Sequence, residues 1–191
     1  MIHSDIILAK KRAKSYKVFL FGDGGVGKTT LVCRALKRKF QFDTPMTIGT
    51  NYYIKHFKIE GIKALFQIWD FGGEDRFRYL IPLYAQGSDG GIFMYDITRR
   101  SSLLCIDDWL NTFKQSLNKE KREIPILLVG GKLDLEHRRS VFNDDLFKVK
   151  RAHNFYAHFE CSSKSRENVE KIFKTLAQAI LMNDNYLQID K

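Results

Sequence analysis

A glycine-rich segment near the start of the chain constrains the fold most strongly. Residues 22–29 read Gly-Asp-Gly-Gly-Val-Gly-Lys-Thr and fit the pattern Gly-x-x-x-x-Gly-Lys-[Ser/Thr]. An apolar run at 18–21 precedes the segment, and residues 31–36 have helical spacing. In a strand, loop and helix of this order, backbone N–H groups and the helix N-terminus converge on a polyphosphate. The segment therefore predicts a phosphate-binding loop around which a nucleotide site is organised.

Each residue type in the loop suits that task. Glycines allow positive φ and close backbone approach, so the amides of residues 25–30 can surround the β-phosphate. The Lys28 ammonium suits the β- and γ-phosphate oxygens, and the Thr29 hydroxyl is a hard oxygen ligand suited to Mg²⁺. The strand and helix context weighs against the alternative of a turn that only caps a helix. The predicted nucleotide-binding residues of the loop are Gly24, Gly25, Val26, Gly27, Lys28, Thr29 and Thr30.

Apolar runs alternate with amphipathic segments from about residue 17 to 182. Four runs are nearly continuous in apolar character, as strands buried on both faces should be. Residues 103–117 and 169–181 instead repeat apolar side chains at spacings of three and four, which predicts helices. This alternation indicates a mainly parallel sheet with helices on both faces. The four predicted strands are 17–22, 90–97, 125–130 and 155–160.

One pair of segments departs from the alternation. Residues 51–59 and 62–70, joined at Glu60-Gly61, have the pattern of a β-hairpin that adds one antiparallel edge strand. The predicted fold class is α/β, with three layers, a six-stranded mostly parallel sheet and about five helices. Ligands of such sheets bind beyond the carboxyl ends of the strands, which is where the Gly22 loop falls.

Length and composition fit one globular domain. The chain has 191 residues, of which 44% are hydrophobic and 28% charged, and its apolar runs are too short to cross a bilayer. We expect a basic N-terminal extension at 1–16, a nucleotide-binding domain at 17–182 and a C-terminal tail at 183–191.

Cysteine usage and the chain ends bear on location. Cys33, Cys105 and Cys161 lack metal-ligand spacing, and an odd number without a signal peptide fits a reducing, cytoplasmic compartment. We expect no lipid anchor, because Ile2 stands where myristoylation needs glycine and the last five residues contain no cysteine.

The net charge of +10 is densest at residues 10–17, where five of eight residues are basic. A solvated tail is one interpretation of this cluster. The functional alternative is a weak, peripheral contact with anionic membrane, since each Lys or Arg near acidic lipid contributes about 1 kcal/mol. No nucleic-acid recognition motif accompanies the charge, so we expect no specific nucleic-acid partner.

Further segments follow the loop in an order that is known from one protein family. Asp70 ends the apolar run 64–69 and is the type of strand-terminal carboxylate that reaches Mg²⁺, usually through water. With the phosphate loop and the segment that contains Asp70, the set of segments is GDGGVGKT (22–29), TIGTNY (47–52), WDFGGEDRFR (69–78), YDIT (95–98), GGKLD (130–134) and ECSSKSRENVE (160–170). In their order and spacing, the chain resembles the Ras superfamily of small GTPases, most closely its Rab branch, over about residues 17–182.

The resemblance implies a molecular switch that binds GTP or GDP with Mg²⁺ and hydrolyses GTP. Thr29, Thr47 and Asp70 would be the metal ligands. The Thr47 amide would sense the γ-phosphate, and the Gly73 amide would be the second sensor. GTP would then hold two loops that hydrolysis releases.

The same resemblance implies a guanine pocket. Phe40 would place its ring against the base, and Lys132 would lie along it. Asp134 would accept hydrogen bonds from guanine N1 and the 2-amino group, and adenine lacks both donors. A polar turn after a strand is the structural alternative for these last two residues. The segment that would close the pocket is Ser162-Ser163-Lys164, with the Ser163 amide near guanine O6.

Partner proteins are implied as well. Effector, exchange-factor and GTPase-activating proteins would contact the first switch (residues 40–52) and the second switch (residues 70–84), and the chain would act as a monomer. Tyr52, Trp69 and Tyr84 occupy the three aromatic positions that Rab-like proteins present to effectors. A buried aromatic cluster explains the same three residues equally well.

Glu74 departs from the family pattern, because it stands where a glutamine usually orients the attacking water. A glutamine amide accepts from the water and donates to the phosphoryl group, whereas an ionised carboxylate only accepts. Its charge would also repel the γ-phosphate by up to a few kcal/mol at ~4 Å and an effective dielectric near 20. With Lys28 and Gly73 as the other catalytic residues, we expect slow intrinsic hydrolysis, with Glu74 turned to solvent or acting as a weak base.

Three further positions also differ from the family. Gly131 replaces the asparagine of the guanine motif, and the lost contact is worth roughly 1–3 kcal/mol. We therefore expect intact guanine selectivity, reduced affinity and tighter GDP binding by Gly131→Asn. Phe71 and Gly72 stand where Thr and Ala are common, and the added glycine should loosen the second switch.

Two other classes of function stay open on the sequence. A nucleotide-loaded interaction module that does not hydrolyse GTP is motivated by Glu74 and Gly131. A P-loop ATPase or kinase of another branch is the second class, and Asp134 with the segment 162–164 argues against it.

Overall fold

A computed structural model describes residues 14–41, 45–117 and 123–184. Within these ranges the chain forms a six-stranded sheet and six α-helices, and the strand order is β2-β3-β1-β4-β5-β6. The strands are β1 (Lys14–Phe21), β2 (Thr50–Ile59), β3 (Ile62–Phe71), β4 (Gly90–Asp96), β5 (Ile126–Gly131) and β6 (Ala157–Glu160). The helices are α1 (Lys28–Ala35), α2 (Ile81–Ala85), α3 (Ser101–Leu104), α4 (Ile106–Ser116), α5 (Asn143–Ala152) and α6 (Val169–Asn183).

The antiparallel pair lies at the edge of the sheet. β2 runs antiparallel to β3, whereas the other neighbouring strands pair in parallel. Ile59 pairs with Ile62, and the two residues between them, Glu60 and Gly61, have φ values of 49° and 81°. A two-residue turn with positive φ matches the twist of the flanking strands. The predicted fold class and hairpin are therefore confirmed.

The core has two layers of side chains, one on each face of the sheet. Successive residues of β1 alternate between them, with Val18 and Leu20 on one face and Phe19 and Phe21 on the other. Helices α1 and α6 cover the first face, and α2 to α5 cover the second. Burial on both faces explains why the strand sequences are almost continuously apolar.

The element boundaries differ from the sequence pattern in a few places. β1 begins at Lys14, three residues before the predicted run, because residues 14–16 pair with residues 64–66 of β3. The side chains of Lys14 and Tyr16 also donate to Asp184 beyond the end of α6. Helix α5 has no strong apolar pattern, since its buried apolar residues are Leu146 and Val149, and the sequence did not predict it.

Some predictions fall on residues outside the described ranges. They are residues 10–13 of the basic cluster at 10–17, residues 42–44 of the first switch and most of the C-terminal tail. No helix within the described ranges has the length and apolar character needed to cross a bilayer.

Candidate functional site

The phosphate loop joins β1 to α1 and rests on the end of β4. Gly22, Gly25 and Gly27 have φ values of 130°, 71° and 103°, a region that side chains disfavour. A Cβ atom on Gly22 would lie 2.2 Å from the Met94 carbonyl oxygen. The loop can adopt this path only because glycine stands at these positions.

A cavity of about 480 Å³ opens in front of the loop. It lies at the carboxyl ends of the parallel strands, where ligands of such sheets bind. Asp70, Glu74, Gly131 and Ser162 are outside the lining and contribute through contacts that are described below. The predicted residues that line the cavity are Gly24, Gly25, Val26, Gly27, Lys28, Thr29, Thr30, Phe40, Thr47, Gly73, Lys132, Asp134, Ser163 and Lys164. Lining residues that the sequence reasoning missed include Met46, Phe71, Met94 and Leu135.

Lys28 is a buried cation. Its Nζ donates to the carbonyl oxygens of Gly22 and Asp23 at 2.7 and 2.8 Å. Burial lowers the pKa of Lys28 to about 8, although the charges of Asp70 and Asp23 oppose the shift. A poorly solvated ammonium at the base of a cavity favours an anion there, and a phosphate oxygen would provide one.

Two hydroxyls and one carboxylate meet beside the loop. The Thr29 hydroxyl donates to Asp70 Oδ2 at 2.6 Å and lies 2.9 Å from the Thr47 hydroxyl. Asp70 is fully buried and its Oδ1 has no hydrogen-bond partner. Burial raises the pKa of Asp70, against the bond from Thr29 and the charge of Lys28. A buried, incompletely bonded carboxylate beside two hydroxyls fits the oxygen ligands that Mg²⁺ prefers.

This oxygen cluster is small for a metal site built from protein alone. Among the described residues, no group of three His, Cys, Asp or Glu side chains could hold a metal ion. Mg²⁺ usually binds one or two protein oxygens together with water and substrate phosphates. The donor set therefore fits a cation that arrives with a polyphosphate.

Close backbone contacts join the two switches to the phosphate loop. A Cβ atom on Gly73 would lie 2.4 Å from the Gly24 nitrogen. A Cβ atom on Gly72 would lie 2.5 Å from the Thr47 carbonyl oxygen. The Gly72 N–H donates to the Gly49 carbonyl oxygen at 2.7 Å. Gly72 thus permits the two switches to touch, and its expected loosening of the second switch stays a prediction.

The segments after β5 and β6 meet at the far end of the cavity. Ser162 Oγ donates to Asp134 Oδ1 at 2.6 Å and accepts from the Ser165 N–H at 3.1 Å. Lys132 Nζ lies 2.7 Å from an oxygen of the buried Asp96 carboxylate. These contacts orient the Asp134 carboxylate and the Lys132 stem, as a base-recognition site requires.

Glu74 faces a cation rather than the cavity. Its Oε2 lies 2.7 Å from Arg76 Nε, and Arg76 also donates to Oε1 at 3.2 Å. A carboxylate held on both oxygens by one guanidinium has a fixed orientation. Whether Glu74 turns to solvent or acts as a weak base during hydrolysis stays a prediction, and the pairing with Arg76 is the contact that the structure shows.

Gly131 lies beneath the cavity. A Cβ atom there would lie 2.5 Å from Met94 Cε and 2.8 Å from the Val26 carbonyl oxygen. Space for an asparagine side chain is therefore already occupied. The expectation that Gly131→Asn alone tightens GDP binding does not suit this packing.

The three aromatic residues form one cluster that is partly exposed. Trp69 packs against Tyr52 and Tyr84 with ring centroids 5.2 and 5.9 Å apart. Lys17 Nζ lies 4.7 Å from the centre of the Trp69 ring. Tyr52 is 47% exposed, while Trp69 and Tyr84 are half-buried. The cluster is thus both packed and accessible, so each interpretation describes part of it.

Comparison with known proteins points to one family. A family model described as the Ras family matches residues 17–182. Ras-related protein Rab-13 of Canis lupus familiaris is 35% identical over 92% of this chain and 84% of its own length. Ras-related protein Rab-30 of Homo sapiens is 37% identical over 85% of this chain and 78% of its own length. The chain therefore belongs to the Ras family of small GTPases, in its Rab-like branch.

Proposed function

We propose that this chain is a Mg²⁺-dependent guanine-nucleotide switch with slow intrinsic hydrolysis of GTP. One observation carries the proposal. A single cavity is bordered at one end by the glycine loop with Lys28, and at the other by Asp134 held by Ser162. An elongated ligand with an anionic end and a base that offers two adjacent donors fits this arrangement.

The residues at the phosphate end of the cavity would bind different parts of the ligand. The loop amides and the N-terminus of α1 face the phosphates, and Lys28 supplies a positive charge from below. Thr29, Thr47 and Asp70 would hold Mg²⁺, which when bound neutralises charge on the β- and γ-phosphate oxygens. The buried Asp70 carboxylate would then gain the partner that its Oδ1 lacks.

Slow hydrolysis follows from the chemistry of Glu74. Its carboxylate cannot donate a hydrogen bond to the transferring phosphoryl group while it is ionised. Its carboxylate also pairs with Arg76 and does not line the cavity. A GTPase-activating partner that inserts its own arginine and glutamine would supply what this chain lacks.

Switching would act through Thr47 and Gly73. Their amides would bond to a γ-phosphate, and the contacts of Gly72 with Thr47 and Gly49 would tie the two loops into one unit. Loss of the γ-phosphate removes both anchors, so the loops would be released together.

Partner proteins would bind the surface formed by the switches and β2. Its large apolar side chains are unusually accessible, since Ile48, Tyr79 and Leu83 are 78%, 75% and 71% exposed. Clustered exposed apolar residues next to a nucleotide-sensing loop suit effectors, exchange factors and activating proteins. We propose a cytoplasmic monomer, and contact with anionic membrane through the basic residues 10–17.

Identification of the nucleotide that copurifies with the protein tests the base and phosphate assignments. We expect GDP or GTP in about equimolar amount, because tight nucleotide binders retain their ligand through purification. An adenine nucleotide would contradict the assignment of Asp134 and would favour a P-loop ATPase or kinase.

A second candidate is a nucleotide-loaded interaction module without turnover, which the Glu74–Arg76 pair favours. A time course of phosphate release from preloaded GTP, with and without Mg²⁺, separates the two. Slow release that needs Mg²⁺ supports the switch. Release no faster than that of free GTP supports the module.

A further inference from the structure

Met94 touches the phosphate loop at two points. It lies near the end of β4, in the middle of the sheet, and is 1% exposed. Its carbonyl oxygen lies close to Gly22, where a Cβ atom would be only 2.2 Å away. Its side-chain methyl group reaches the other end of the loop, 3.5 Å from the Cβ position of Gly27. One residue therefore contacts both ends of the segment that holds the phosphates.

The same methyl group meets the end of β5. Cε of Met94 lies 2.5 Å from the Cβ position of Gly131, and the Val26 carbonyl oxygen lies 2.8 Å from that position. Glycine at 131 thus leaves room for the thioether end of Met94, and the loop carbonyl approaches the strand closely. The long side chain of Met94 thus occupies the space that a side chain at position 131 would need.

We propose that Met94 is a positioning residue that braces the phosphate loop against β5 and so prolongs the residence of the bound nucleotide. The proposal rests on the proposed guanine-nucleotide site. A flexible thioether fills irregular space well, and packed interiors transmit the loss of a few atoms to their neighbours. Removal of the brace leaves a void below Val26 and Gly27, whose backbone would surround the phosphates.

Measured release of fluorescent GDP from Met94→Ala tests the brace. We expect dissociation on the order of tenfold faster than in the unmodified protein, as loss of a few buried methylene-sized groups implies. Ile92→Ala is the matched control. Ile92 lies on the same strand and the same core face, is fully buried and does not line the cavity.

The control separates a brace from an ordinary core residue. Both variants should lower the melting temperature, but Ile92→Ala should leave GDP release within about twofold of the unmodified rate, because it removes no loop contact. Equal acceleration in the two variants, or none in Met94→Ala, would overturn the proposal.

The pairing with Gly131 is tested by a double-mutant cycle. Gly131→Ala alone forces Met94 aside and should accelerate GDP release. In Met94→Ala/Gly131→Ala the clash of the added methyl group with Met94 is removed, while its close approach to the Val26 carbonyl oxygen remains. GDP release should therefore be accelerated by less than the product of the two single effects. Strict multiplicativity would mean that the two residues act independently and would count against the pair.

Hydrogen exchange tests the bracing role of Met94 separately from the proposed binding of guanine nucleotide. If the unmodified protein binds no guanine nucleotide, the proposed function fails. The bracing role of Met94 is then tested by the hydrogen-exchange rates of the backbone amides of residues 25–28. These should exchange faster in Met94→Ala than in Ile92→Ala, and equal exchange would refute it.

Discussion

Among single residues, we expect Glu74 to have the largest effect on the rate of GTP hydrolysis. The family usually places a side chain there that both accepts and donates hydrogen bonds, and this chain places a carboxylate that is held by Arg76. An ionised carboxylate offers only acceptors, so it cannot donate to the transferring phosphoryl group as a glutamine amide does. Hydrolysis should therefore be limited by chemistry at this residue rather than by binding.

Glu74→Gln should raise the single-turnover rate of GTP hydrolysis by about tenfold, equal to roughly 1.4 kcal/mol of activation free energy. Asp75→Asn is the matched control, since it removes a neighbouring carboxylate that pairs with Arg78. The control should stay within about twofold of the unmodified protein. A wild-type rate equal to or above that of Glu74→Gln would contradict this view of Glu74.

Asp134 should determine which base is bound, because its two carboxylate oxygens can accept hydrogen bonds from two adjacent donors of guanine. Asp134→Asn replaces one acceptor with a donor, which then faces the donors of guanine. We expect GTP affinity to fall by about 100-fold or more and xanthosine triphosphate to become the preferred ligand. Glu136→Gln, two residues away in the same turn, should change neither affinity. Competition binding measures both, and unchanged guanine preference in Asp134→Asn would contradict the base assignment.

At the scale of elements, the contact between the two switches depends on Gly72. Gly72→Ala places a methyl group 2.5 Å from the Thr47 carbonyl oxygen. That contact joins the two switches, which the γ-phosphate would hold together, so the substitution should weaken binding of a non-hydrolysable GTP analogue by about tenfold and change GDP affinity by less than about twofold. Equilibrium titrations with the two nucleotides test this. Equal weakening of both would mean that Gly72 serves general stability instead of switching.

At the scale of the whole molecule, a buried network on the second face of the sheet affects acid stability. The Tyr95 hydroxyl lies 2.9 Å from His158 Nε2, and burial lowers the pKa of His158 to about 4. The unfolded chain takes up this proton near pH 6.5, and the folded chain does so only near pH 4. The folded state should therefore lose stability as the pH falls from about 6.5 towards 4.

Urea unfolding of the GDP-bound protein at pH 7 and pH 5 measures this loss. His158→Asn should lose about 1–2 kcal/mol less than the unmodified protein between the two pH values, because asparagine takes up no proton. His56→Asn is the control, since His56 lies on the edge strand β2. Equal losses in the unmodified protein and His158→Asn would exclude a contribution of His158.

Sequence reasoning recovered the fold because local signals and tertiary structure agree. The near-continuous apolar runs predicted the buried strands, and Glu60-Gly61 predicted the turn of the hairpin. Helix α5 was missed because few of its residues are buried, so its apolar period is weak.

The parts of the site that sequence could not give are contacts between distant segments. Met94 and Gly131 lie 37 positions apart in numbering, and nothing local indicates that one fills the space left by the other. The Glu74–Arg76 pair is local in sequence, but the spacing of these residues does not show that Glu74 pairs with Arg76 instead of lining the cavity. Motif spacing predicts which residues meet a ligand, and packing decides how they are held.

The first and second switches should both respond to the γ-phosphate of the bound nucleotide. Hydrogen exchange of the Mg²⁺-bound protein, loaded either with GDP or with a non-hydrolysable GTP analogue, measures this directly. The amides of Thr47 and Gly73 should exchange at least about tenfold more slowly with the analogue, whereas the core strand β4 should not change. Equal exchange at Thr47 and Gly73 in the two states would contradict the account and would leave a nucleotide-binding protein that does not switch.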